Sequence, residues 1–206
     1  MTHLVKNNNK ILLFIPKGVE LIELSAFTDV FGWAREHGKL NIEVCTGGFT
    51  KNVCTAFGNT FTVDYVFESI SDLQLLNNED YIALAIPGGF ENSGFFEDAY
   101  DERLMGLVQL FNTKKKPIAT ICTAAFILAK AGVLIGKNAT TYNKLNGRKQ
   151  RQLSSMGVNI IDEPIVCDDN LITSYGPASA PYVAFELLSM ITSKEFSDRV
   201  KDMMCF

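Results

Sequence analysis

Four short apolar runs, "KILLFIP" (10–16), "NIEVCTGG" (41–48), "YIALAIPGG" (81–89) and "PIATIC" (117–122), alternate along this chain with longer amphipathic stretches. Runs apolar on every residue read as strands buried on both faces. "IELSAFTDVFGWAREHG" (22–38), the segment from Phe95 to Lys115, and "TAAFILAKAGVLIG" read as helices, the first and last closed by glycine. Strand–helix alternation requires crossovers and a mainly parallel sheet covered by helices on both sides, which predicts one α/β three-layer domain over residues 1–206. A hairpin or edge ribbon is expected in "CTAFGNTFTVDYVFESI", turning at Gly58-Asn59. Two strands are expected around Asp168 to Asn170, an exposed helix in "KLNGRKQRQLSSMG", and two terminal helices in "PASAPYVAFELLSMI" and "KEFSDRVKDMM".

With 206 residues, 47% of them hydrophobic, the chain can bury a sizeable core. Its apolar runs are far short of the ~20 residues that span a bilayer. Lys6 and Lys10 interrupt any signal-peptide core, which predicts a cytoplasmic protein with no membrane role. A net charge of −4 without a long basic block argues against a dedicated nucleic-acid binder, and Lys114 to Lys116 read as the solvated last turn of a helix. Five widely spaced cysteines without a CxxC pair, and only two histidines, predict free and mostly buried thiols rather than a disulfide framework or a metal site.

In open α/β sheets, ligands bind beyond the carboxyl ends of the strands. Three stretches fall there: the residues after "LLFIP", the "PGG" after "YIALAI", and Cys122 after "PIATI". On such a strand-to-helix elbow the helix N-terminus should lower the thiol pKa, making Cys122 a reactive nucleophile. The alternative is a small apolar residue at a strand end. Gly88 and Gly89 could turn with positive φ and aim N–H groups at an oxyanion, or form a simple loop.

A histidine partner for Cys122 is not expected within one subunit, and only a dimer partner could supply one. His37 lies 14 residues beyond Glu23, about 21 Å along a helix, and His3 precedes the first strand and should emerge at the opposite sheet edge. A carboxylate remains. Glu20 reads as a residue complementing a helix start, whereas Glu23, flanked by Leu21, Ile22 and Leu24, is a candidate for burial. Burial would raise its pKa and let it serve as a general acid.

"GVELIELSAFTDVF", "YIALAIPGG", "IATICTAAFILAKAGVLIGKNATTY" and "LITSYGPASAPYVAFELL" together resemble the ThiJ/PfpI superfamily, in particular its DJ-type branch, collinearly over nearly the whole chain. The resemblance implies a flavodoxin-like sandwich, usually homodimeric. It assigns the nucleophile to Cys122, the hydrogen-bonding acid to Glu23, an oxyanion-type loop to Gly89, and the loop beside the pocket to Gly176 and Pro177. Two departures stand out. Glyoxalase and deglycase members often carry histidine where this chain has Tyr142, read here as a pocket-wall residue, since a phenol is a poor base near neutrality. Protease-type members place histidine directly after the cysteine, where this chain has Thr123, so proteolysis is not expected.

The function implied is a cofactor-independent and metal-free enzyme of the glyoxalase III or deglycase type, acting on α-oxo-aldehydes such as methylglyoxal or their adducts. The alternatives are a redox-responsive protein or chaperone sensing oxidation at Cys122, and an isocyanide-hydratase-like enzyme using Glu23 and Thr123. The segment "FENSGFFEDAYDE" (90–102) is a possible lid whose acids equally suit a helix start. Trp33 reads as core or dimer surface, and Cys45, Cys54, Cys167 and Cys205 as structural thiols.

Overall fold

The structure, a computed structural model, describes residues 9–69, 72 and 81–206. His3 lies outside these. Among the described residues the chain runs β1 (Asn9–Phe14), α1 (Leu21–Glu36), β2 (Ile42–Gly48), β3 (Asn52–Cys54), β4 (Thr60–Thr62), β5 (Tyr65–Val66) and β6 (Tyr81–Ile86). It continues through α2 (Phe95–Ala99), α3 (Glu102–Thr113), β7 (Ile118–Thr120), α4 (Ala125–Lys130), β8 (Asn138–Ala139) and α5 (Lys144–Ser154). It ends with β9 (Asn159–Ile160), β10 (Ile165–Asp168), β11 (Leu171–Ser174), α6 (Ala180–Ile191) and α7 (Lys194–Met203).

The main sheet has the order β10-β11-β7-β6-β1-β2-β5, with every neighbouring pair parallel except β10 and β11. Both faces are covered, which explains why its strands are apolar without alternation. In β1, Leu12 and Phe14 point into one layer with Leu104, Leu107, Val108 and Phe111 of α3. Ile11 and Leu13 point into the other, with Phe27 and Val30 of α1 and Val183 and Leu187 of α6. This is the period-2 geometry of a strand distributing side chains to two cores. The result is a flavodoxin-like three-layer sandwich.

The chain order along the sheet reverses between β1 and β6, where a crevice opens at the strand ends. There the loops after the two strands are stitched together. Val19 and Gly89 form an isolated antiparallel bridge, the Glu20 N–H donates to Gly88 O at 3.0 Å, and the Phe90 N–H donates to Gly18 O at 3.0 Å.

Several local readings need correction. The helix expected from Phe95 to Lys115 is broken at Tyr100, because Asp101 is a better N-cap than a helix interior residue. Its side chain accepts the Arg103 N–H and starts α3 afresh. The Lys114 to Lys116 run is not simply solvated: Lys115 pairs with Asp169 at 2.8 Å and the Lys116 ammonium donates to Tyr81 O. The ribbon at Gly58 exists as the β3–β4 pair, which stands apart from the main sheet. Cys54, Cys167 and Cys205 are exposed rather than buried, whereas Cys45 and Cys122 are buried. Trp33 is partly exposed on α1 and lies against the His37 ring, 4.5 Å between centroids. No helix among the described residues is long and apolar enough to cross a membrane.

Candidate active site

Cys122 sits at the junction of β7 and a 3-10 turn, Cys122–Ala124, that leads into α4. Its φ is +55°, the left-handed region that a residue with a Cβ rarely occupies. This strained elbow turns the thiol out of the sheet into the crevice, where it remains 8% exposed. Behind it, the Thr141 hydroxyl donates to Cys122 O at 2.7 Å and pins the elbow to the segment that follows β8.

Glu23 projects from the first turn of α1 and is fully buried. Its Oε2 accepts the Gly88 N–H at 2.6 Å, while Oε1 makes no hydrogen bond. Burial, reinforced by the charge of Glu20, pushes the Glu23 carboxyl up to about 8, against the opposing pull of the Gly88 N–H and the Cys122 thiol.

Cys122 departs from the sequence expectation. Its thiol is pushed well above the ordinary range, first by burial and then by the negative charge of Glu23, and the Thr123 N–H only partly offsets this. The helix-start effect is weak here because the thiol is followed by a single 3-10 turn and a six-residue helix rather than a long aligned dipole. Cys122 and Glu23 are therefore two buried acids that compete to carry one negative charge.

Gly88 and Gly89 are required for a different reason than the one expected. Neither has positive φ. A Cβ on Gly88 would lie 2.6 Å from Ile121 O, 2.8 Å from Glu23 Oε2 and 2.9 Å from Cys122 Cβ, and one on Gly89 would lie 2.3 Å from Gly18 O. Glycine is what lets β6 end between the carboxyl and the thiol. Nor do their N–H groups face open space. That of Gly88 is held by Glu23, and that of Gly89 donates to Thr123 Oγ1 at 3.1 Å while the Thr123 hydroxyl donates back to Gly89 O at 2.8 Å.

Tyr142 is half-buried and, with Pro177, forms a wall shared by two clefts. The cleft containing Cys122 is about 420 Å³ and also takes in Glu20, Gly89, Thr123, Arg148 and Lys149. Its neighbour, about 590 Å³, is bordered by Tyr175, Gly176 and Tyr182. Gly176 sits close behind the thiol, since a Cβ there would be 3.7 Å from Cys122 Sγ and 3.8 Å from the Tyr142 ring. Of the eight residues singled out in the sequence, Gly89, Cys122, Thr123, Tyr142 and Pro177 line the Cys122 cleft, Glu23 and Gly88 lie behind the thiol, and Gly176 borders the neighbouring cleft; Phe90 and Glu91 of the possible lid border the Cys122 cleft as well. His37 caps the far end of α1. No cluster of three or more potential metal ligands occurs among the described residues.

Two cleft residues, Arg148 and Lys149, carry no site assignment in the sequence, and a third, Glu20, is read there only as complementing a helix start. Glu20 is the N-cap of α1 but makes no capping bond with its side chain; it is half-buried in the cleft, and burial raises its pKa. Arg148 and Lys149 were read as part of an exposed helix. The left-handed residues Leu145, Asn146 and Gly147 at the start of α5 bring the two cations to the cleft.

The profile of the DJ-1/PfpI family matches residues 9–190. The chain is 31% identical to an uncharacterized protein of Methanocaldococcus jannaschii over 188 residues, 91% of this chain and 84% of that one. It is also 31% identical to the deglycase PfpI of Pyrococcus furiosus over 136 residues, 66% of this chain and 74% of that one. Among solved structures, Drosophila melanogaster DJ-1beta shares the fold with a TM-score of 0.80 at 24% identity, covering 96% of this chain and 98% of that chain. A strand-end thiol, a buried glutamate and a profile match over most of the sequence lead to one conclusion: this chain belongs to the DJ-1/PfpI family.

Proposed function

We propose that this protein is a cofactor-independent enzyme of the deglycase or glyoxalase III type, acting on α-oxo-aldehydes or their adducts with amines and thiols. The observation that carries the reading is the Glu23 carboxyl, held neutral up to about pH 8 beside the Cys122 thiol. The deglycase relative of Pyrococcus furiosus supports the substrate class.

In this reading the Cys122 sulfur adds to the aldehyde carbon of methylglyoxal. The S–H proton passes to the former carbonyl oxygen, giving a neutral hemithioacetal, so a thiol of raised pKa suffices if the proton leaves as the C–S bond forms. Because that carboxyl titrates near 8, a fraction of it has released its proton to solvent at neutral pH, and in this form Glu23 takes the proton from that carbon. The electron pair moves to the adjacent carbonyl, and Glu23 returns a proton to the second carbon, leaving a thioester of lactate on Cys122. Water then cleaves the thioester to lactate and restores the thiol. The Thr123 N–H at the elbow, together with the Gly89 N–H released from the Thr123 hydroxyl, stabilises the developing oxyanion. For an adduct, departure of the amine or thiol accompanies capture by Cys122. Tyr142 stands as a cleft wall and hydrogen-bond donor.

The redox-sensing reading needs an accessible thiol of low pKa, and Cys122 is buried with its pKa shifted upward. Turnover of methylglyoxal to lactate by the purified wild type, beside Cys122→Ala and Glu23→Gln, tests the proposal. Activity lost in both variants supports it, and a folded wild type with no turnover removes it.

A further inference from the structure

The Cys122 cleft carries two cations that the chemistry above does not use. Lys149 has a side chain only 12% exposed. Its ammonium lies 4.8 Å from the Phe96 ring centroid and 5.5 Å from that of Phe126, an arrangement that fixes the charge against the cleft wall. It pairs at 3.1 Å with Glu91, whose own side chain is 60% exposed and belongs to a single 3-10 turn. The position therefore already seats a carboxylate, and a solvent-exposed one. Arg148 is exposed, borders the same cleft, and has no hydrogen-bond or ion-pair partner among the described residues. A guanidinium fork without a partner beside a binding cleft is suited to a planar, bidentate carboxylate. Both cations stand at the end of the left-handed turn Leu145 to Gly147, a backbone that a non-glycine sequence adopts only at a cost.

We propose that Arg148 and Lys149 form a carboxylate-receiving subsite, and that the substrates are α-oxo-aldehyde adducts whose amine or thiol part bears a carboxylate. The carboxylate pairs with Arg148 and displaces Glu91 from Lys149 while the adduct carbon lies at Cys122. The choice of substrate rests on the activity proposed above; the subsite itself does not.

The test uses alkylation of Cys122, which needs no turnover. Rates with iodoacetate, which carries the carboxylate, and iodoacetamide, which does not, are read at each cysteine by peptide mass spectrometry, with exposed Cys205 as internal reference. The iodoacetate-to-iodoacetamide rate ratio at Cys122 should exceed that at Cys205. It should fall by about threefold to fivefold in Arg148→Met, the size of one exposed ion pair, and further in Arg148→Glu and in the Arg148→Met, Lys149→Met double variant. Raising the salt concentration should shrink the wild-type ratio. An unchanged ratio in Arg148→Glu and in the double variant, with folding verified by circular dichroism, overturns the subsite. Charge discrimination without lactate formation removes the proposed activity and leaves the subsite standing; lactate formation without discrimination does the reverse.

Discussion

Glu23 Oε2 accepts the backbone N–H of Gly88 at 2.6 Å, and this one bond decides where the Glu23 proton can reside. An oxygen that receives an N–H is the unprotonated one, so the neutral carboxyl carries its proton on Oε1, the buried atom without a hydrogen-bond partner. The Cys122 thiol bears on that same carboxyl. Gly88 is the spacer between carboxyl and thiol that no larger residue could replace, since an added Cβ would meet both Glu23 Oε2 and Cys122 Cβ.

The raised carboxyl makes stability depend on pH with a definite sign. Between 4.5 and about 8 the native protein keeps a proton on Glu23 that the unfolded chain has released. Stability from this group is therefore lost as pH rises through that window, by at most on the order of 1 kcal/mol per pH unit. Glu23→Gln keeps an acceptor for Gly88 and removes the titration. Urea unfolding at several pH values should show the wild type losing stability relative to the variant as pH rises; identical slopes would contradict the assignment.

Cys122 should react more slowly with iodoacetamide than exposed Cys205, because burial disfavours its thiolate near neutral pH and the Glu23 charge adds to this once that carboxyl ionises near 8. Removing that charge in Glu23→Gln should shift the Cys122 alkylation profile to lower pH, leaving the part due to burial. Peptide-resolved rates across the pH range check this, and a shift to higher pH would be inconsistent with Coulombic coupling of the two acids.

Two glycines should respond oppositely to alanine. At Gly88 a methyl collides with backbone and with both members of the pair, so Gly88→Ala should lower stability by about 1–3 kcal/mol and disrupt the site. At Gly106, inside α3, an added Cβ meets nothing within 4 Å, and Gly106→Ala should raise stability by roughly 0.5–1 kcal/mol. Denaturant midpoints of the two variants provide the comparison.

Leu145 is 69% exposed with φ +53°, so it buries little to compensate its left-handed backbone. Leu145→Gly should stabilise the folded chain by up to about 1 kcal/mol, the left-handed penalty less the entropy that glycine adds to the unfolded state. A loss of stability by thermal unfolding would show that this turn is not strained.

The layers and the mainly parallel sheet follow from features visible in sequence, whereas the strand order is read from the structure. β6 and the Ile11–Phe14 stretch of β1 are apolar on every residue because both sheet faces are covered, and Cys122 announces the elbow by its place between "PIATI" and a helix-compatible run. The burial of Glu23 was legible from its apolar neighbours, although Ile22 beside it is 59% exposed. The direction of the Cys122 shift was not legible, since it depends on how little dipole follows the elbow and on the distance to Glu23. The roles of Gly88 and Gly89 lay in interatomic approach rather than in backbone sign. Arg148 and Lys149 were hidden because the helical pattern around them outweighs the Asn146-Gly147 pair, the turn signal at its start.

The most direct test of the Cys122–Glu23 mechanism is to mix Glu23→Gln with methylglyoxal and follow both the mass of the Cys122 peptide and the lactate released. The account predicts an adduct that forms on Cys122 and stays there without lactate, because the sulfur can still add to the aldehyde but nothing moves the proton between the two carbons. Lactate formed by Glu23→Gln at the wild-type rate would contradict it.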